Sequence, residues 1–85
     1  MSEHVVLLTV IVNGKPTEVS ANVNAPLQTV IVHALEQTGN QGQPPEQWEL
    51  RDAAGQILDP HKKVKDYGFQ TGTRVFLNLN AGVGG

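Results

Sequence analysis

The chain has 85 residues and a mass of 9.1 kDa, which leaves room for one hydrophobic core and therefore one domain. Hydrophobic residues make up 39% of it and charged residues 16%, the balance of a globular chain and not of a disordered one. With no cysteine, disulfide frameworks, thiolate metal centres and cysteine nucleophiles are excluded, and a net charge of −2 argues against nucleic acid as a partner.

A small secreted domain usually needs staples, so the absence of cysteine leads us to expect a cytoplasmic protein. The one basic cluster, His61-Lys62-Lys63-Val64-Lys65, is short and runs into Asp66, so it reads as a solvated loop. No membrane association is expected. The longest apolar run, Val5 to Val12, is interrupted by Thr9 and falls well short of the ~20 residues of a helical span. It follows Ser2-Glu3-His4, without the positive flank of a signal peptide. Its β-branched content predicts a buried strand.

Asn13-Gly14 then predicts a two-residue hairpin turn, since both residues readily take positive φ. With those two as the loop, Val12 pairs with Lys15, Val10 with Thr17, Leu8 with Val19 and Val6 with Ala21. Val19, Ala21 and Val23 alternate with polar residues, so their face is the inner one. Val6, Leu8 and Val10 share it, and Val5, Leu7, Thr9 and Ile11 point the other way. A helix is expected over residues 24–38, with Asn24 as N-cap and Pro26 in the first turn. Leu27, Val30, Ile31, Ala34 and Leu35 form its apolar stripe, and Gly39 ends it.

Residues 40–45 read as a loop. Residues 47–51 alternate as a strand with Trp48 and Leu50 inside. A turn at 52–55, a short strand at 56–58, a loop or helical turn at 61–68 and a last strand over 73–80 complete the domain. In the last strand Val75, Leu77 and Leu79 face the core, and Phe76, Asn78 and Asn80 face away. Asp52, Asp59 and Asp66 each sit beside a turn, where aspartate caps backbone N–H groups; that role is preferred to paired-carboxylate catalysis. His4, His33 and His61 fall in separate elements, so no metal site is expected. Nothing calls for a cofactor.

This order of elements resembles ubiquitin and its β-grasp relatives over the whole chain. Residues 43–47, Gln-Pro-Pro-Glu-Gln, resemble the Pro-Pro segment after ubiquitin's helix, and residues 55–59 the turn and short strand that follow. Residues 64–69 resemble its tyrosine turn, in which the Tyr hydroxyl satisfies nearby backbone. Gly84-Gly85 resembles the diglycine of a mature modifier. The likeness is greatest to bacterial ubiquitin-like proteins encoded beside E1-, E2- and peptidase-like genes. It implies an α+β fold with a mixed four- to five-stranded sheet and one packed helix over residues 1–80, and a mobile tail over 81–85. It also implies a protein that is not an enzyme but a modifier. Gly85 and Gly84 would be the activated end, and Asn80, Ala81, Gly82 and Val83 the segment recognised in the tail. An E1-like activating enzyme, an E2-like carrier, a deconjugating peptidase and a target protein would be its partners. The alternatives are a sulfur carrier with a C-terminal thiocarboxylate, or a β-grasp interaction domain that is never conjugated.

Several residues depart from the ubiquitin pattern. No arginine precedes the diglycine. Gln56 and Thr71 stand where ubiquitin has its principal chain-forming lysines, and Arg51 and Asn78 where its central apolar surface residues lie. On the open face, Leu7, Ile11 and Phe76 are expected to gather as an exposed patch for a partner or for self-association.

Overall fold

The structure is a computed structural model and describes residues 4–80. Strands β1 (Val5–Val12) and β2 (Lys15–Asn22) form the hairpin in the expected register, from Val12 with Lys15 to Val5 with Asn22. The turn works because Asn13 takes φ 50° and Gly14 φ 87°, the left-handed conformations that match the strands' own twist. Helix α1 (Gln28–Thr38) follows, then β3 (Trp48–Arg51) and β4 (Arg74–Leu79). The sheet order is β2-β1-β4-β3, with β1 and β4 parallel and the two outer pairs antiparallel. One helix on one face of a mixed four-stranded sheet is the α+β arrangement expected of a β-grasp chain.

Alternation decides which face is covered. Leu8, Val10 and Val12 of β1 are buried with Val19 and Ala21 of β2, Val75 and Leu77 of β4, and Trp48 and Leu50 of β3. The helix meets them with Val30, Ile31, Ala34 and Leu35, and Leu27, Leu58 and Val64 complete the same core. Gly39 ends α1 at φ 72°, and the N–H of Asn40 reaches back to the Leu35 carbonyl at 2.9 Å.

Three expectations need correction. The helix begins at Gln28, and Asn24 does not cap it. Pro26 disfavours helical backbone at Ala25, and residues 23–27 form turns that lie against the segment 60–65 instead, with one isolated bridge between Pro26 and Lys63. Val64 and Lys65 donate to the Ala25 and Val23 carbonyls at 3.0 and 2.9 Å. Leu27 and Gln28 donate to the Lys62 and Pro60 carbonyls at 2.8 and 2.9 Å, so loop carbonyls do the work of an N-cap side chain. Residues 56–58 are not a fifth strand: they carry one isolated bridge, between Ile57 and Arg51. Leu79 is 40% exposed, not buried. It pairs with Trp48 at the last rung of the sheet, beyond the end of α1, and lines an open cleft of about 200 Å³ with Asn13, Gly39 and Asn40.

The β3 edge of the sheet is covered, and the β2 edge is interrupted at both ends. Along β3, Leu58 donates to the Leu50 carbonyl at 2.8 Å and Asp52 to that of Gln56 at 3.0 Å. Along β2 the hairpin register turns the backbone groups of residues 16, 18, 20 and 22 outward. Pro16 has no N–H to offer, and the Asn22 carbonyl already accepts from Ala25 at 3.0 Å.

Polar side chains hold the long excursion between β3 and β4. Asp52 accepts from the N–H groups of Ala54 and Gln56, Asp59 from that of His61 and Asp66 from that of Lys63, as turn caps do. The Tyr67 hydroxyl accepts the Asp59 N–H at 2.7 Å, while its ring stacks on Phe69 with centroids 5.5 Å apart. Tyr67→Phe should therefore cost ~1 kcal/mol and lower Tm by roughly 4–8 °C. Trp48→Ala removes a core side chain in a domain of this size and should lower Tm by well over ~10 °C. Thermal melts followed by far-UV circular dichroism check both, and a shift of a degree or two for Trp48→Ala would show that its ring is not part of the core.

Candidate functional site

Among the described residues, no helix or strand packs on the face of the sheet opposite α1. β1 places Val5, Leu7, Thr9 and Ile11 there, by the same alternation that buries Leu8, Val10 and Val12. Val5 and Leu7 are exposed at 36% and 37%, and Ile11 and Phe76 are half-buried. Ile11 and Phe76 are register partners across the parallel β1–β4 pair, so they sit side by side on this face. Leu7 lies one inward–outward cycle beyond Thr9 on β1. The structure thus brings the three expected surface residues, Leu7, Ile11 and Phe76, onto one open face.

The same face carries charge. Arg51 stands beside Phe76 from β3, and Asn78 pairs with Glu49. The Arg51 guanidinium is pinned: Nη1 donates to the Gly55 carbonyl at 2.8 Å and Nη2 to Glu49 Oε1 at 3.0 Å. On the next rung Thr9 is flanked by Glu18 of β2 and Arg74 of β4, both exposed. Thr9, Arg51 and Asn78 were expected on this face; Arg74 was not singled out, although the same period-two count puts it at an outward position.

At the end of β4, Asn80 is exposed and its N–H donates to the Gln47 carbonyl at 2.7 Å, so sheet pairing extends past Leu79. The other expected tail residues, Ala81, Gly82, Val83, Gly84 and Gly85, lie outside the described residues. Lys15 is exposed at the hairpin, and Lys62, Lys63 and Lys65 are exposed on the loop against α1. Among the described residues no three His, Asp or Glu side chains gather where they could hold a metal ion. No helix among them is long and apolar enough to cross a membrane.

The protein family described as "Protein of Unknown function (DUF2604)" matches residues 2–85. The chain belongs to that family. A relative from Sinorhizobium fredii, described as "Uncharacterized protein y4jI", is 51% identical to this DUF2604 chain over 78 residues, 92% of the chain and 60% of the relative. The chain thus spans about 60% of that relative's length. Among solved structures, Caldiarchaeum subterraneum ubiquitin superposes with a TM-score of 0.74 at 20% identity, covering 95% of this chain and 99% of that one. A de novo designed protein based on ubiquitin gives 0.80 at 20% identity, over 98% of each chain. This DUF2604 chain therefore has the ubiquitin-like β-grasp fold.

The split between the two faces of β1 can be tested at adjacent leucines. Leu7→Ser should shift Tm by no more than a few degrees, because Leu7 already faces water. Leu8→Ser leaves a cavity and a buried hydroxyl and should cost ~3 kcal/mol or more. Urea titrations of the two variants check this, and equal midpoints would overturn the assignment of faces.

Proposed function

We propose that this protein is a ubiquitin-like modifier, activated at its C-terminal glycine and transferred to a target by E1- and E2-like enzymes. The observation that carries the reading is the ubiquitin-like fold together with a Gly84-Gly85 pair whose last residue is five residues past the end of β4 pairing. Five extended residues span up to roughly 16 Å, enough for the globular part to stay outside an activating site that receives the chain end. Glycine suits a narrow channel because it has no Cβ.

The reactive group is the carboxylate of Gly85, free in a chain that ends there or released by a peptidase that cleaves after it. Its oxygen attacks the α-phosphorus of ATP and pyrophosphate leaves, giving an acyl adenylate. A thiolate of the activating enzyme then displaces AMP to form a thioester, and a nucleophile of the target receives the acyl group. The protein is a substrate in each step and supplies no catalytic side chain. The absence of arginine ahead of the diglycine predicts an activating enzyme that reads the backbone of Asn80, Ala81, Gly82 and Val83, and not a basic side chain. The open face with Leu7, Ile11 and Phe76 is the surface such enzymes would grip.

Deleting Gly85, or replacing Gly84 with Phe, should abolish ATP–pyrophosphate exchange with the cognate activating enzyme. Tm should move by no more than about a degree, since surface changes away from packed features stay within ~0.5 kcal/mol. Undiminished exchange by the deletion variant would end the reading. Intact mass of the protein from its host separates two fates of the same adenylate: protein adducts mark a modifier, and a gain of about 16 Da marks a sulfur carrier with one oxygen exchanged for sulfur.

A further inference from the structure

The open face is self-complementary. Its rungs run across the strands. On one, Thr9 has Glu18 on its β2 side and Arg74 on its β4 side. On the next, Ile11 has Pro16 on its β2 side and Phe76 on its β4 side. Neither Glu18 nor Arg74 forms an ion pair among the described residues. They stand two strands apart, ~10 Å at the backbone, each exposed.

We propose that this face binds a second copy of the chain, around a two-fold axis lying along β1. Rotation about that axis preserves position along the strand and exchanges the β2 and β4 sides. Glu18 then faces the partner's Arg74, and Arg74 faces the partner's Glu18. Pro16 faces the partner's Phe76, and the exchange is repeated on the other side. Val5, Leu7 and Ile11 meet their own counterparts along the axis. Every contact off the axis is made twice, as an isologous interface requires. Sheets packed face to face lie ~10 Å apart, a gap that Glu and Arg side chains bridge from the two sides. Charge also selects this axis. A two-fold axis across the strands at Thr9 would set Glu18 against the partner's Glu18 and Arg74 against the partner's Arg74.

The four outward positions of β1 cover ~20 Å, and three strands cover ~10 Å between their outer backbones, a footprint of roughly 200 Å² on each copy. The total is well below that of a standard stable interface, so the dimer is a weak one that forms at concentrations on the order of 1 mM. It depends on neither the tail nor any enzyme, so it stands or falls separately from the modifier reading. In the dimer, Leu7, Ile11 and Phe76 are covered, and an enzyme that grips them competes with the second copy.

Sedimentation equilibrium of the 85-residue chain, at concentrations up to roughly 1 mM, tests the proposal. The wild type should move toward dimer as concentration rises, and less so at high salt. Glu18→Arg and Arg74→Glu should each weaken association by about tenfold or more, because two attractions become two repulsions. An equimolar mixture of these two variants should associate again, since each then faces an opposite charge on both sides. Far-UV circular dichroism and melting curves check folding; should either reversal unfold, Glu18→Gln and Arg74→Gln replace them and should each weaken association. A wild type that stays monomeric over the whole range, single variants that associate like the wild type, or a mixture of folded reversals that stays monomeric would each overturn the proposal.

Discussion

Strand β1 is hydrogen-bonded on both edges, to β2 and to β4, so its backbone is satisfied and only its side chains decide how it sits. It offers apolar residues on both faces, but Leu8, Val10 and Val12 are the ones removed from water. The other elements follow from covering that face. The hairpin adds Val19 and Ala21 beside it, β4 adds Val75 and Leu77, and the helical stripe closes over them. Parallel pairing with β4 requires a long crossover, and that crossover carries α1 and β3.

The crossover is held by backbone, not by a second core. Residues 23–27 and 60–65 trade hydrogen bonds in both directions, and the first turn of α1 draws its acceptors from the same loop. Pro26 sets this up by keeping Ala25 out of helical conformation. Tyr67 ties the loop's approach to the Asp59 backbone, and Val64 plugs the core beneath it. Placement of the helix and placement of the 60–65 loop are thus one problem, and its solution leaves Lys62, Lys63 and Lys65 on the outside.

Features with local causes were legible in the sequence. Asn13-Gly14 determines the register of both strands around it, and the stripe from Leu27 to Leu35 is the buried face of α1. The turn aspartates and Tyr67 act through bonds within eight residues. What escaped has distant causes. The helix start depends on carbonyls some 35 positions away in the chain. The exposure of Leu79 depends on where α1 stops, and the reduction of residues 56–58 to a single bridge depends on the short partner that Arg51 offers. On the candidate face, Leu7, Ile11 and Phe76 were readable from alternation alone. The pairing of Glu18 and Arg74 across Thr9 needed the strand order, which places β4 beside β1 and not beside β2.

The interrupted edges have a consequence for what this protein can build. A sheet that accepts a new strand at its edge adds copies head to tail, with nothing to stop the series, and the product is a fibre. Here Pro16 and the occupied Asn22 carbonyl interrupt one edge, and residues 56–58 lie along the other. Growth in the plane of the sheet is hindered at both edges. Contacts made through the open face consume that face in a single encounter. An assembly made through that face is therefore a counted one, whereas one made in the plane of the sheet would have only the short stretch around Glu18 and Ser20 to build on.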